Sequence, residues 1–158
     1  MKNLIASLDE RFAALHRRSR EFIEIIPPDK IYFQPEHIEH TAPVYSCGEY
    51  LLRSAGAVEQ TCNGVTTKMW DDPFEWTLPE NLSTGGKILE YLGEVEETRA
   101  RAFTLFTSDE DLHREIPAPE KLKTIFALLL ETLSRAEHYQ GRAFALLRLF
   151  SVAKLPRI

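Results

Sequence analysis

The sequence predicts an all-α fold, a four-helix bundle, on two observations. Four long segments repeat apolar residues at steps of three and four, and each is bounded by recognisable start or stop signals, while nothing reads as a strand. A chain of 158 residues suffices for one domain with a full core, so residues 1–158 are expected to form a single helical-bundle domain.

The first segment spans residues 3–26. Ile5, Leu8, Phe12, Leu15, Ser19, Phe22 and Ile26 line one face, and charged residues fill the other. Pro27-Pro28 ends it, because proline lacks the donor a helix needs and restricts its predecessor. Residues 27–43 are an irregular crossover, with Ile31, Tyr32 and Phe33 expected to pin it to the bundle. The second helix opens on Ser46 with Glu49 three residues on, the pattern of a capping box. Its stripe is Val44, Cys47, Leu51, Ser54, Ala55, Val58 and Cys62, and Asn63-Gly64 is the expected stop.

Val65 to Leu82 reads as a long structured loop. An ordered loop of that length is uncommon and tends to border a site; here Trp70, Phe74 and Trp76 alternate with Asp71, Asp72 and Glu75, which suits a lid, a dimer contact or plain packing on the bundle. The third helix is expected from Ser83 or Thr84 to Phe106, with Ile88, Leu92, Val95, Ala102 and Phe106 in its stripe and Arg99 as a polar exception. After a loop through Pro117 and Pro119, the last helix runs from Lys121 to Phe150 on Ile125, Leu128, Leu129, Thr132, Ala136, Tyr139, Ala143, Leu146, Leu147 and Phe150. Four such stripes can be buried only against one another.

Composition excludes several functions. With 19 Lys+Arg against 24 Asp+Glu the net charge is −5, a surface that repels phosphate backbones on average, so no nucleic acid partner is expected. No apolar run approaches the ~20 residues that span a bilayer, and Met1–Glu10 has no signal-peptide core, so neither a membrane partner nor export is expected. Cys47 and Cys62 lie on one helix about 22 Å apart, too far for a disulfide; two reduced, buried thiols point to a cytoplasmic location.

Candidates for chemistry are sparse. Of 5 histidines, His37 and His40 flank Glu39 in a loop, the one grouping that resembles a chelating cluster, and His113 lies in another loop. No HExxH or CxxC pattern occurs, and no spacing pairs Cys47 or Cys62 with His138 as a nucleophile and base. No metal and no cofactor are expected.

Three stretches, taken in order, carry a resemblance. They are Ile25-Ile26-Pro27-Pro28-Asp29-Lys30 at the end of the first helix, Ser46-Cys47-Gly48-Glu49-Tyr50-Leu51-Leu52-Arg53-Ser54-Ala55-Gly56-Ala57, and Glu131 through Arg142 on the last helix. Together they resemble the DinB/YfiT-like metalloenzyme family over nearly the whole chain. The resemblance implies an up-down-down-up four-helix bundle, a homodimer, and a divalent metal held by three histidines, one on the second helix and two, four apart, on the last. Characterised relatives include thiol-dependent transferases and isomerases. Carried over residue by residue, the three ligand positions fall on Arg53, Arg135 and Tyr139. His138 is one residue away, a rotation of about 100°, and does not substitute. Arginine keeps its proton and repels a cation, so the resemblance implies the fold with a degenerate metal site.

Arg53, Arg135 and Tyr139 then become candidate ligand-binding residues. Both arginines lie on the flanks of their stripes, with Glu59, Glu131 and Glu137 as possible internal partners and Glu49 occupied by its cap. Either they reach water or internal acids, or they hold a small anionic ligand, since the planar fork of arginine suits carboxylate and phosphate. The sequence thus favours a small-ligand-binding or interaction protein without the family metal; the alternative is a metal-independent, transferase-like enzyme acting on a thiol or anionic small molecule.

Overall fold

The computed structural model describes residues 2–36, 42, 44–76 and 79–158. Its helices are α1 (Asn3–Ile25), α2 (Cys47–Thr67), a single turn α3 (Pro73–Trp76), α4 (Gly85–Thr104) and α5 (Ile125–Leu147), with short 3₁₀ turns at Pro28–Lys30, Pro79–Leu82 and Asp109–His113. The long helices form the expected bundle around Phe12, Phe22, Leu51, Ile88, Leu92, Ile125, Leu129 and Leu147, all essentially sealed from solvent.

Contacts between helices fix their directions. Ser54 Oγ donates to the Ala136 carbonyl at 2.8 Å and Thr61 Oγ1 meets Thr132 Oγ1 at 2.6 Å, so α2 and α5 run antiparallel. Arg11 and Arg18 of α1 both reach Glu137, and the Phe22 ring stacks on Phe144 at 5.1 Å, which makes α1 and α5 parallel. Asp9 pairs with Arg99 near one end of the α1–α4 contact while Gly85 approaches Ile23 at the other, so α4 is antiparallel to α1. The result is up-down-down-up.

This topology explains the long segment between α2 and α4. Two neighbouring helices that run the same way need a connection that travels back along the bundle. It climbs α2. Trp70 lies against Gly64, Phe74 against Gly56, and the Leu82 carbonyl accepts a hydrogen bond from Tyr32 Oη near the α2 start. A Cβ at Gly56 would stand 2.5 Å from Phe74 Cε2, so the glycine is what lets the ring approach the helix. Gly48 does the same for Ile31 and Tyr32, and its N–H donates to the Ile31 carbonyl at 2.7 Å.

Several boundaries differ from the sequence reading. Asn63-Gly64 does not stop α2, which continues to Thr67 and ends with Lys68 in the left-handed region at φ 63°. Gly64 serves packing instead of capping. Val44 precedes the helix and is exposed. α4 ends two residues before Phe106, although Phe106 itself is buried. Residues expected to open the last helix form a strand: β1 (Glu115–Pro117) and β2 (Leu122–Thr124) pair antiparallel, with Ile116 opposite Lys123. Thr124 then caps α5 by accepting from the Ala127 N–H at 3.1 Å. The Ser46–Glu49 capping box is present as expected. α1 has no side-chain cap from its own N-cap residue; the distant Asp109 carboxylate accepts from the Leu4 and Ile5 N–H groups instead.

Buried polar groups tie the helices in register. Gln140 of α5 accepts from Arg18 Nε at 2.8 Å and donates to the Leu15 carbonyl and to Ser19 Oγ. Arg99 pairs with Asp9 and Glu96. Truncating a fully engaged buried side chain leaves its partners unsatisfied, so Gln140→Ala should cost about 2–4 kcal/mol in urea unfolding; a loss below about 0.5 kcal/mol would contradict this network. The crossover makes a second prediction. Gly56→Ala should cost about 1–3 kcal/mol through overpacking on Phe74, and in a Phe74→Ala background the same change should become neutral or stabilising, since alanine favours helix. Equal cost in both backgrounds would show that Phe74 is not what the glycine accommodates.

Candidate functional site

Because α2 is antiparallel to α5, one flank of each helix faces the same cleft. On α2, Arg53, Gly56, Ala57 and Gln60 recur at the three- and four-residue steps of a single helix face; on α5, Arg135 and Tyr139 stand one turn apart. The crossover adds Asp72 and Phe74 as the remaining wall. The cleft so formed has a volume of about 100 Å³ and opens to solvent. All three residues singled out from the sequence are therefore brought together.

Arg53 and Arg135 are exposed and Tyr139 is half-buried. The arginines that are buried are different ones: Arg18 and Arg99 are each only 6% exposed, and both are paired. Asp72 is the one carboxylate in the described lining, and four other nearby acids are engaged elsewhere. Glu59 accepts from Tyr91 Oη at 2.6 Å, Glu131 from Lys123 at 2.6 Å, and Glu137 from Arg11 at 2.7 Å and Arg18 at 3.2 Å. Glu49 holds the Ser46 cap. Among the described residues, neither Arg53 nor Arg135 forms an ion pair with a carboxylate.

Aromatic rings orient the cations. The Arg53 guanidinium lies over the Tyr45 ring at 4.1 Å from its centroid, Tyr45 packs edge-on against Tyr50 at 5.5 Å, and Tyr50 lies 6.4 Å from Tyr139. Arg142 approaches the middle ring of this row, Tyr50, at 5.9 Å. Stacking on a ring uses the face of a guanidinium and leaves its N–H edge free to meet an acceptor. Phe74 is held in turn by Tyr91, edge-on at 5.7 Å, and its N–H donates to Asp72 Oδ1 at 2.9 Å.

This donor set does not suit a divalent metal. A guanidinium has no lone pair to give and carries a positive charge at every accessible pH, and a single phenol is a poor chelator. Among the described residues, no group of three or more His, Cys, Asp or Glu side chains is placed to hold a metal ion. The His37–Glu39–His40 cluster lies outside the described residues. Nor is a thiol nucleophile available. Burial pushes Cys47 and Cys62 up to about 12, and Cys47 donates to the Ala143 carbonyl at 3.5 Å.

Gln60 and Gly56 were not singled out from the sequence, although both share the helical face of Arg53 at i+7 and i+3. Asp72 and Phe74 were legible only as part of an aromatic and acidic loop. Their position follows from the crossover, which a linear pattern does not display.

Comparison with known proteins supports the architecture. No protein-family model matches the chain, and no curated protein matches it. Among solved structures, the crystal structure of a DinB-like protein of Bacillus subtilis, YjoA, superposes with a TM-score of 0.71 at 20% identity, over 96% of this chain and 96% of that one. Among the described residues no helix is long and apolar enough to cross a membrane. The chain has the four-helix-bundle fold of a DinB-like protein.

Proposed function

We propose that the protein binds a small anionic molecule in the cleft between α2 and α5, with Arg53 and Arg135 as counter-charges and Tyr139 as a further hydrogen-bond donor. One observation carries this reading. Two guanidinium groups share a cleft with a single carboxylate, Asp72, while the other nearby acids Glu49, Glu59, Glu131 and Glu137 are each committed to other partners. A locally positive cleft on a chain of net charge −5 concentrates anions where the rest of the surface repels them. The planar fork of arginine suits the oxygens of carboxylate and phosphate, and Arg53 is held over the Tyr45 ring.

The reading is of a binding protein rather than of an enzyme. Among the described residues, the cleft lining offers no thiol, imidazole or aliphatic hydroxyl, and its one carboxylate, Asp72, accepts from the Phe74 N–H.

Titration of the purified protein with inorganic phosphate, followed by amide chemical shifts, tests the proposal. Perturbations should centre on α2 and α5, and Arg135→Ala and Arg53→Ala should each weaken binding about tenfold, roughly 1.4 kcal/mol. Because both side chains are exposed, stability should stay within about 0.5 kcal/mol of the parent. Phosphate affinity unchanged in both variants would refute the assignment.

A further inference from the structure

The cleft is not uniformly cationic, and its two ends differ in kind. The pairings of Ser54 with Ala136 and of Thr61 with Thr132 place Arg53 level with the Tyr139 end of α5, and Gln60 toward its start. Arg53 and Gln60 are seven residues apart, about 10 Å along the helix, and Arg135 lies between those levels. At the Gln60 end two acceptors are free. One N–H of Gln60 Nε2 donates to the Trp70 carbonyl at 2.8 Å, and the amide oxygen makes no hydrogen bond among the described residues. Asp72 Oδ1 is used by the Phe74 N–H at 2.9 Å, which leaves Oδ2, and no cation among the described residues pairs with this carboxylate. Between the two ends, Gly56, Ala57 and the Phe74 ring supply an apolar stretch.

We propose that the ligand is an anion that also carries a primary amine: a doubly charged anionic head on a short aliphatic chain, with an ammonium group at the far end. This rests on the anion-binding reading above and narrows it. The head lies between Arg53 and Arg135, the chain runs past Gly56 and Phe74, and the ammonium donates to Asp72 Oδ2 and Gln60 Oε1. Two guanidiniums against one carboxylate match a ligand with two negative charges and one positive. An aminoalkyl phosphate and an aminoalkyl malonate both meet that description. The cleft, at about 100 Å³, is smaller than the ~300 Å³ of sites for drug-sized ligands, which limits the ligand to a small head and a few methylenes.

The test compares matched pairs by calorimetry on the full chain: propyl phosphate against 3-aminopropyl phosphate, and propylmalonate against 3-aminopropylmalonate, above the second ionisation of phosphate. The amine-bearing member should bind about threefold to fivefold more tightly, the size of one partly exposed ion pair. Asp72→Asn keeps Oδ1 for the Phe74 N–H and removes the charge, so it should abolish that preference. A preference seen only in the phosphate pair, or only in the dicarboxylate pair, identifies the head group, and either supports the proposal. Equal affinities within both pairs, or a preference that survives in Asp72→Asn, would overturn it while leaving the anion site standing. Failure of all four compounds to bind would overturn both readings.

Discussion

The close, antiparallel seam between α2 and α5 is the constraint on which the rest of the molecule depends. It is made by small and hydroxylated side chains, Cys47 against Ala143, Ser54 against Ala136 and Thr61 against Thr132, each of which lets one helix approach the backbone or hydroxyl of the other. Because these pairs sit at seven-residue intervals on α2, they set the register along its length. Once that register is set, Arg53 and Tyr139 are brought to one end of a shared flank and Arg135 is placed beside Gly56 and Ala57. The cleft is a consequence of where larger side chains flank a seam of small ones.

Topology then closes the cleft. Parallel α2 and α4 require a return crossing, and the returning chain lies on α2 because Gly56 and Gly64 leave room for Phe74 and Trp70. The same crossing carries Asp72 to the cleft's acceptor end. Electrostatics does the remaining work. Glu59, Glu131 and Glu137 are drawn away by Tyr91, Lys123, Arg11 and Arg18, so Arg53 and Arg135 share the cleft with one carboxylate, Asp72, and outnumber it. Exposure matters here: an arginine half in water avoids the desolvation cost that a fully buried one must offset with a partner, as Arg18 and Arg99 do.

Much of the fold was legible because its signals are local. Helical spacing located all four long helices, and the Ser46–Glu49 box located the start of α2 from two residues. What was not legible depends on partners far away in sequence. Gly64 looks like a stop until Trp70 is seen lying on it, and Lys121–Thr124 looks helical until Glu115–Pro117 is found beside it. Asp109 caps a helix more than a hundred residues away, a role no local pattern could reveal. The site divides in the same way. Arg53, Arg135 and Tyr139 came from a resemblance in pattern, whereas the acceptor end, Asp72 and Gln60, emerged from the crossover and from which hydrogen bonds were already used.

The central claim is that this cleft attracts an anion where a chelating set would attract a metal. Anomalous diffraction from crystals soaked separately in selenate and in manganese tests it most directly. The account predicts a selenium peak within hydrogen-bonding reach of the Arg53 and Arg135 guanidiniums and no manganese between α2 and α5. A manganese peak beside Tyr139, or selenate that avoids both arginines, would contradict it.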